Sequence, residues 1–158
     1  KLVILDRDGV INHDSDQYIK SPDEWRPIPG SLAAIARLNQ AGYRVVVATN
    51  QSGVGRGLFE TDTLLAIHDK MLKALTQVGG RKPKPGMLKE IAGRFNADLA
   101  GVPAIGDSLR DLQAAVAAGA QPMLVLTGKG RKTADDPALP PETLVFPDLA
   151  AAAAHIAR

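Results

Sequence analysis

Short apolar runs that each stop at a polar cluster, with helix-spaced apolar residues between them, constrain this chain more than any other feature. Leu2-Val3-Ile4-Leu5 stops at Asp6, Tyr43-Arg44-Val45-Val46-Val47-Ala48 at Thr49, and Val102-Pro103-Ala104-Ile105 at Gly106-Asp107. Met123–Leu126 and Leu144-Val145-Phe146 continue the series. Such runs read as buried strands, and strands alternating with helical patterns argue for a parallel sheet covered by helices. Ser31 is placed to cap a helix with Leu32, Ile35, Ala36 and Leu38 on one face and Gly42 past its end. Thr61 is placed to cap a longer helix carrying Leu64, Leu65, His68, Met71, Leu72 and Leu75. Pro85 suits the first turn of a third, with Leu88, Ile91 and Phe95. Leu109, Leu112, Ala115 and Val116 share a face of a fourth that Gly119 stops, and an alanine-rich helix closes the series. Thr127–Thr143, rich in Gly, Lys, Asp and Pro, reads as a loop. The expected fold is α/β: a doubly wound, Rossmann-like, mostly parallel sheet with helices on both faces and no cap.

A chain of 158 residues suits a single domain, here residues 1–158. Hydrophobic residues at 45% and charged residues at 23% are ordinary globular proportions. No apolar run approaches the roughly 18 residues of a membrane span. Asp6 and Asp8 interrupt the apolar start, so no secretory leader is read there. The expectation is a cytoplasmic monomer with no membrane association and no obligate protein partner. Cysteine is absent, which excludes a disulfide scaffold, a Cys nucleophile and a Cys-ligated zinc site in this sequence. A net charge of +2, with three Phe and two Tyr, makes no case for nucleic acid.

The strand count fails in one place. The helix capped at Thr61 ends by Gly79-Gly80, and only Arg81, Lys82, Pro83 and Lys84 separate it from Pro85. Successive helices on one sheet normally have a strand between them, and a proline-containing stretch this short is not expected to form one. Either the sheet lacks this strand or a segment is missing between Gly80 and Arg81.

Polar residues gather where the strands end, the edge at which open parallel sheets bind ligands. The first strand leads into Asp6-Arg7-Asp8-Gly9-Val10-Ile11-Asn12, the second into Thr49-Asn50-Gln51-Ser52-Gly53, and a later one into Gly106-Asp107-Ser108. Carboxylates two apart point to opposite sides of an extended strand, but a turn at Gly9 can bring both towards one ligand. Acids, a hydroxyl and Lys82 on different strand ends suit a magnesium–phosphate site, since Mg²⁺ favours carboxylate, phosphate and water oxygens.

Asp6-x-Asp8-Gly9, Thr49 after a valine-rich strand, Lys82 and Gly106-Asp107, in that order, resemble the four motifs of the haloacid dehalogenase superfamily of aspartate-based phosphatases. The runs Asp-Arg-Asp-Gly-Val-Ile-Asn, Ala-Thr-Asn-Gln-Ser-Gly, Arg-Lys-Pro-x-Pro-Gly-Met and Gly-Asp-Ser-Leu-x-Asp-Leu-Gln-Ala-Ala are similar to its heptose-bisphosphate phosphatase branch. The neighbouring histidinol-phosphate phosphatase branch carries Asp where Ser52 stands. The resemblance implies hydrolysis of the 7-phosphate of a D-glycero-D-manno-heptose 1,7-bisphosphate, in the supply of ADP-heptose for lipopolysaccharide. Asp6 would be the nucleophile and Asp8 the general acid and base. Mg²⁺ would be held by Asp6, Asp8 and Asp107, and the transferring phosphoryl group by Thr49 and Lys82. Asn50, Gln51, Ser52 and Arg81 match substrate-contacting positions, as do Ser108 and the loop Asp14-Ser15-Asp16-Gln17.

The family pattern also includes, just before Arg-Lys-Pro, a strand and a loop whose three cysteines and one histidine bind structural zinc. None of these ligands is present. The departure falls where the strand count fails, so both readings favour a missing segment over a deletion or a zinc-free variant. Other residues read plainly. Asp111, a helical turn beyond Asp107, reads as a structural partner for Lys82 rather than a metal ligand. Lys84 and the Lys129-Gly-Arg131-Lys132 run read as solvated. His13 reads as a solvated loop residue, His68 and His155 read as helix residues with no other candidate ligand at metal-binding spacing, and Trp25 reads as a packing anchor. A phospho-receiver domain shares the clustered acids, but there the phosphorylated Asp ends a third strand that this sequence lacks. Intact mass of the denatured protein decides the question of the gap. A missing strand and crossover raise it above 16.6 kDa by on the order of 2 kDa, and a mass at 16.6 kDa leaves the sheet to close with the residues present.

Overall fold

The apolar runs at Val3–Leu5, Val45–Val47, Ala104–Ile105 and Met123–Val125 end up buried because both of their faces are covered, whereas Leu144 and Val145 in the last run are exposed. The computed structural model describes residues 2–7, 9–12, 26–48, 70–71, 73–77, 84–86 and 99–157. Strands β1 (Leu2–Asp6), β2 (Arg44–Ala48), β3 (Lys84–Gly86), β4 (Pro103–Gly106), β5 (Gln121–Val125) and β6 (Leu144–Phe146) form one sheet ordered β3-β2-β1-β4-β5-β6. Every pairing is parallel. The helices are α1 (Ser31–Gln40), α2 (Leu109–Ala117), α3 (Gly130–Ala134) and α4 (Leu149–Ile156), with further helical backbone at 70–71 and 73–77. This is the expected doubly wound α/β fold.

Successive strand residues face opposite ways, and the core divides accordingly. Val3, Leu5, Val45, Val47, Ile105, Met123 and Val125 pack with Ile35 and Leu38 of α1, Leu149 and Ala152 of α4, and Met71 and Leu75. Ile4, Val46 and Ala104 face the other way, onto Ala115 of α2, Leu99 and Ala120. A parallel sheet buried on both sides needs apolar residues at consecutive positions, which is why its strands read as unbroken runs. The register pairs Leu2 with Arg44 through to Asp6 with Ala48, and Leu5 with Ile105. The ends of β1, β2 and β4 therefore lie level.

Three expectations are corrected. A third strand is present: Lys84, Pro85 and Gly86 pair with Val46, Val47 and Ala48. Pro85 thus sits in β3 and not in the first turn of a helix. Being at the sheet edge, β3 pairs on one side only, where a residue without an N–H is tolerated. Ser31 is not a cap. Gly30 takes that position with φ 85° and no side-chain bond, while the buried Ser31 hydroxyl donates to the Val10 carbonyl at 2.9 Å. Burial against the segment after β1 gives the hydroxyl a distant acceptor in place of its own helix end. The stretch Thr127–Thr143 is not all loop, since it contains the one-turn helix α3. Strand and helix limits elsewhere differ by a residue or two. The expected helix over 61–78 is seen at 70–71 and 73–77; its first part, and the expected helix carrying Leu88, Ile91 and Phe95, lie outside the described residues. Among the described residues no helix is long and apolar enough to cross a membrane.

Leu5 is fully buried in the larger core layer, one residue before Asp6. Leu5→Ala is expected to cost about 2–5 kcal/mol of unfolding free energy, measured by urea titration.

Candidate active site

The order β3-β2-β1-β4-β5-β6 reverses direction at β1. From β1 the chain builds outward to β2 and β3, then returns to the other side for β4. Connections leave such a pair of strands in opposite directions and open a crevice at their carboxyl ends, where doubly wound sheets bind ligands. Asp6 is the last residue of β1, and Asp107 follows the last residue of β4. Both acids are delivered to the crevice by strand register alone.

Asp6 is half-buried and Asp107 only 2% exposed. Asp111 joins them: one carboxylate oxygen from each of the three lies within 4.8 Å of the others. The local sequence explains how Asp111 arrives. Ser108, in extended backbone, caps α2, its hydroxyl accepting from the Asp111 amide at 3.3 Å. The Asp111 carboxylate accepts from the Ser108 amide at 3.4 Å, which completes a capping box. Gly106 makes room for it, because an added Cβ would stand 2.5 Å from Asp111 Cβ and 2.8 Å from its Oδ2.

Beyond Asp6 the chain folds into a tight turn. The Arg7 carbonyl accepts from the amides of Val10, Ile11 and Asn12 at 3.3, 2.8 and 3.2 Å, and the Gly9 amide donates to Asn12 O at 2.7 Å. Gly9 has φ 84°, and a Cβ there would run into the Asp107 carboxylate. The segment following β5 closes the site from the other side. Thr127 Oγ1 donates to the Gly9 carbonyl at 2.6 Å. The Lys129 amide donates to Asp107 Oδ2 at 2.9 Å, and Thr133 Oγ1 to the Asp107 carbonyl at 2.7 Å.

Three mutually repelling carboxylates with hard oxygen donors fit a small divalent cation. The donor set matches Mg²⁺, while the cysteine ligands of the separate structural zinc loop that the resemblance implies are absent from the sequence. The chain has no cysteine, and Asp6, Asp107 and Asp111 are the group of potential ligands found among the described residues.

The structure thus brings together Asp6 and Asp107, with Ser108 beside them. Asp8, Asp14, Ser15, Asp16, Gln17, Thr49, Asn50, Gln51, Ser52, Arg81 and Lys82 lie outside the described residues. Asp111 is a member of the acid cluster as well as a structural residue. Its spacing, one helical turn beyond Asp107, was the available signal. Lys129 and Arg131 side chains are exposed, as the charge run suggests, yet the Lys129 amide reaches the site. A backbone donor leaves no mark in composition; only the flanking Gly128 and Gly130 hint at close approach.

A doubly wound sheet with paired acids at its switch point is the arrangement expected of a hydrolase of the haloacid dehalogenase type, and residues 80–152 match the HAD-hydrolase-like family model. The chain belongs to that family. It is 59% identical to the D-glycero-beta-D-manno-heptose-1,7-bisphosphate 7-phosphatase of Bordetella bronchiseptica, covering 99% of this chain and 97% of the relative. It is 50% identical to the enzyme of the same name from Pseudomonas putida, covering 99% of both. Among solved structures, the D,D-heptose 1,7-bisphosphate phosphatase of B. bronchiseptica, complexed with magnesium and phosphate, superimposes with a TM-score of 0.96 at 56% identity, covering 99% of this chain and 97% of the other. The corresponding enzyme from Burkholderia thailandensis gives 0.87 at 58% identity, with the same coverage. The alignment with the Bordetella relative runs over 174 positions against 158 residues here, so at least 16 of its positions have no counterpart in this chain.

Gly106→Ala is expected to push Asp111 and the start of α2 away from β4, lowering stability by about 1–3 kcal/mol in urea unfolding. An unchanged midpoint would show that Asp111 does not depend on that close approach.

Proposed function

We propose that this chain hydrolyses the 7-phosphate of D-glycero-β-D-manno-heptose 1,7-bisphosphate through an aspartyl-phosphate, with Mg²⁺ as its cofactor. The observation that carries this reading is the meeting of Asp6 and Asp107 at the sheet's switch point, level with Asp111 and within 4.8 Å. Full-length identity to heptose-bisphosphate phosphatases supports the substrate, and a relative holding magnesium and phosphate supports the cofactor.

Asp6 attacks phosphorus in line with the departing sugar oxygen, and its carboxylate becomes the acyl phosphate. Asp8 gives a proton to that oxygen, then takes one from the water that cleaves the intermediate. Thr49 and Lys82 bind the equatorial oxygens of the transferring group, the usual electrostatic work of phosphoryl transfer. Arg81, with its planar fork, suits the second phosphate of the substrate. Asn50, Gln51, Ser52, Ser108 and the Asp14–Gln17 loop contact the substrate. Asp6, Asp107 and the main chain at Asp8 would hold Mg²⁺, which when bound offsets the repulsion between an anionic nucleophile and an anionic phosphate. Strand order speaks against a phospho-receiver domain, because β3 is Lys84–Gly86 and carries no aspartate.

Asp6→Asn is expected to abolish phosphate release from the heptose bisphosphate while the far-UV circular dichroism stays that of the parent. Asp8→Asn should lower kcat by about 10²–10⁴-fold. Chelation should stop turnover and added Mg²⁺ restore it. Undiminished turnover by Asp6→Asn would overturn the mechanism, and a higher kcat/KM for histidinol phosphate would overturn the substrate alone.

A further inference from the structure

The segment that leaves β5 and runs into α3 touches both halves of the site, although no part of the proposed reaction uses it. Thr127 Oγ1 donates to the carbonyl of Gly9, in the turn that follows the nucleophile strand. Two residues later the Lys129 amide donates to the Asp107 carboxylate, and Thr133 donates to the Asp107 carbonyl. Thr133 is buried, and its hydroxyl also lies 3.1 Å from the Lys129 carbonyl. The Asp107 carbonyl is the nearer of its two acceptors. Gly128 lies between these contacts with φ 56°, and an added Cβ would strike both Asp107 Oδ2 and Gly9 Cα. Gly130 is pressed against the Val125 carbonyl in the same way. The chain is therefore laid flat across the gap between the β1 turn and the end of β4, and no residue with a side chain fits at its centre.

We infer that Thr127, Gly128, the Lys129 amide and Thr133 form a positioning clamp that fixes Asp107 and the β1 turn at the spacing a divalent cation requires. The physical reason is the cost of holding carboxylates together before the cation arrives. An N–H aimed at Oδ2 orients the Asp107 carboxylate and partly neutralises it. A hydroxyl on its carbonyl holds the backbone from which that side chain hangs. The bond to Gly9 ties the nucleophile strand to the same segment, so the two walls of the site cannot drift apart independently. Such partners of metal-binding carboxylates typically change affinity 10–100-fold when removed. The inference rests on the proposed cation site at Asp6 and Asp107, and it adds four residues to it.

The test is a Mn²⁺ titration of the purified protein, followed by the loss of the free-ion electron paramagnetic resonance signal, with phosphate release measured alongside. Thr133→Val keeps shape and removes the hydroxyl; it is expected to weaken Mn²⁺ binding by about 10–100-fold. Its kcat should recover at saturating Mg²⁺, and Thr133→Ser should restore affinity. Thr127→Val carries the test through a different bond and should weaken binding in the same direction, so the inference survives a failure of Thr133→Val to fold. Lys132→Ala, an exposed neighbour outside the clamp, should bind as the parent does. A lowered melting temperature with unchanged Mn²⁺ affinity in folded Thr133→Val or Thr127→Val makes the contacts merely structural and overturns the clamp. Failure of the parent itself to bind Mn²⁺ overturns the cation site instead.

Discussion

Repulsion among like charges is the constraint that this structure is built to withstand. Asp6, Asp107 and Asp111 bring carboxylate oxygens within 4.8 Å of one another. Like charges this close repel, and the repulsion grows as burial lowers the local dielectric. The arrangement persists because the fold holds the backbone from which each acid hangs. Asp6 and Asp107 stand on the ends of adjacent hydrogen-bonded strands whose register is held by two apolar layers, and Asp111 is carried on the first turn of a capped helix. The fold supplies the stability, and the site draws on it.

Around the acids, backbone donors do much of the local work. The amides of Lys129 and Ser108 point at Asp107 and Asp111. Amide N–H groups are fixed in direction and carry no titrating charge, so they orient carboxylates without competing for a cation. The glycines follow from this design. Gly106 admits Asp111, and Gly128 admits the segment that bridges Asp107 and Gly9. Each close approach requires the absence of a Cβ more than it requires flexibility.

Much of this was legible in the chain itself. Val3, Leu5, Val45 and Val47 belong to continuous apolar runs, and such runs identify strands buried on both faces without any knowledge of their neighbours. Asp6 and Asp107 were legible for a related reason, since an acid ending a buried strand has an obvious destination. Asp111 was half legible: its spacing is visible, but a capping role and a place in the acid cluster leave the same mark. Ser31 shows the limit of local rules. A serine before a helical pattern reads as a cap until a buried carbonyl 21 residues away claims its hydroxyl. Pro85 shows another, because a proline excluded from a central strand is admissible at an edge, and edge position is a property of the whole sheet.

The sequence by itself determined the class of fold, the ends of the strands and the chemical type of the groups at those ends. Periodicity and strand-end residues are local properties, decided within a few positions along the chain. Tertiary structure alone decided which strand ends are neighbours, that a short proline-containing segment completes the sheet, and that residues 127–133 lie across the site. Those facts depend on contacts between residues far apart in the chain. Thr127 with Gly9 is separated by 118 positions and Lys129 with Asp107 by 22. A hydrogen bond made by a main-chain amide has no residue type to announce it, so it becomes visible only when packing has brought its partner within reach.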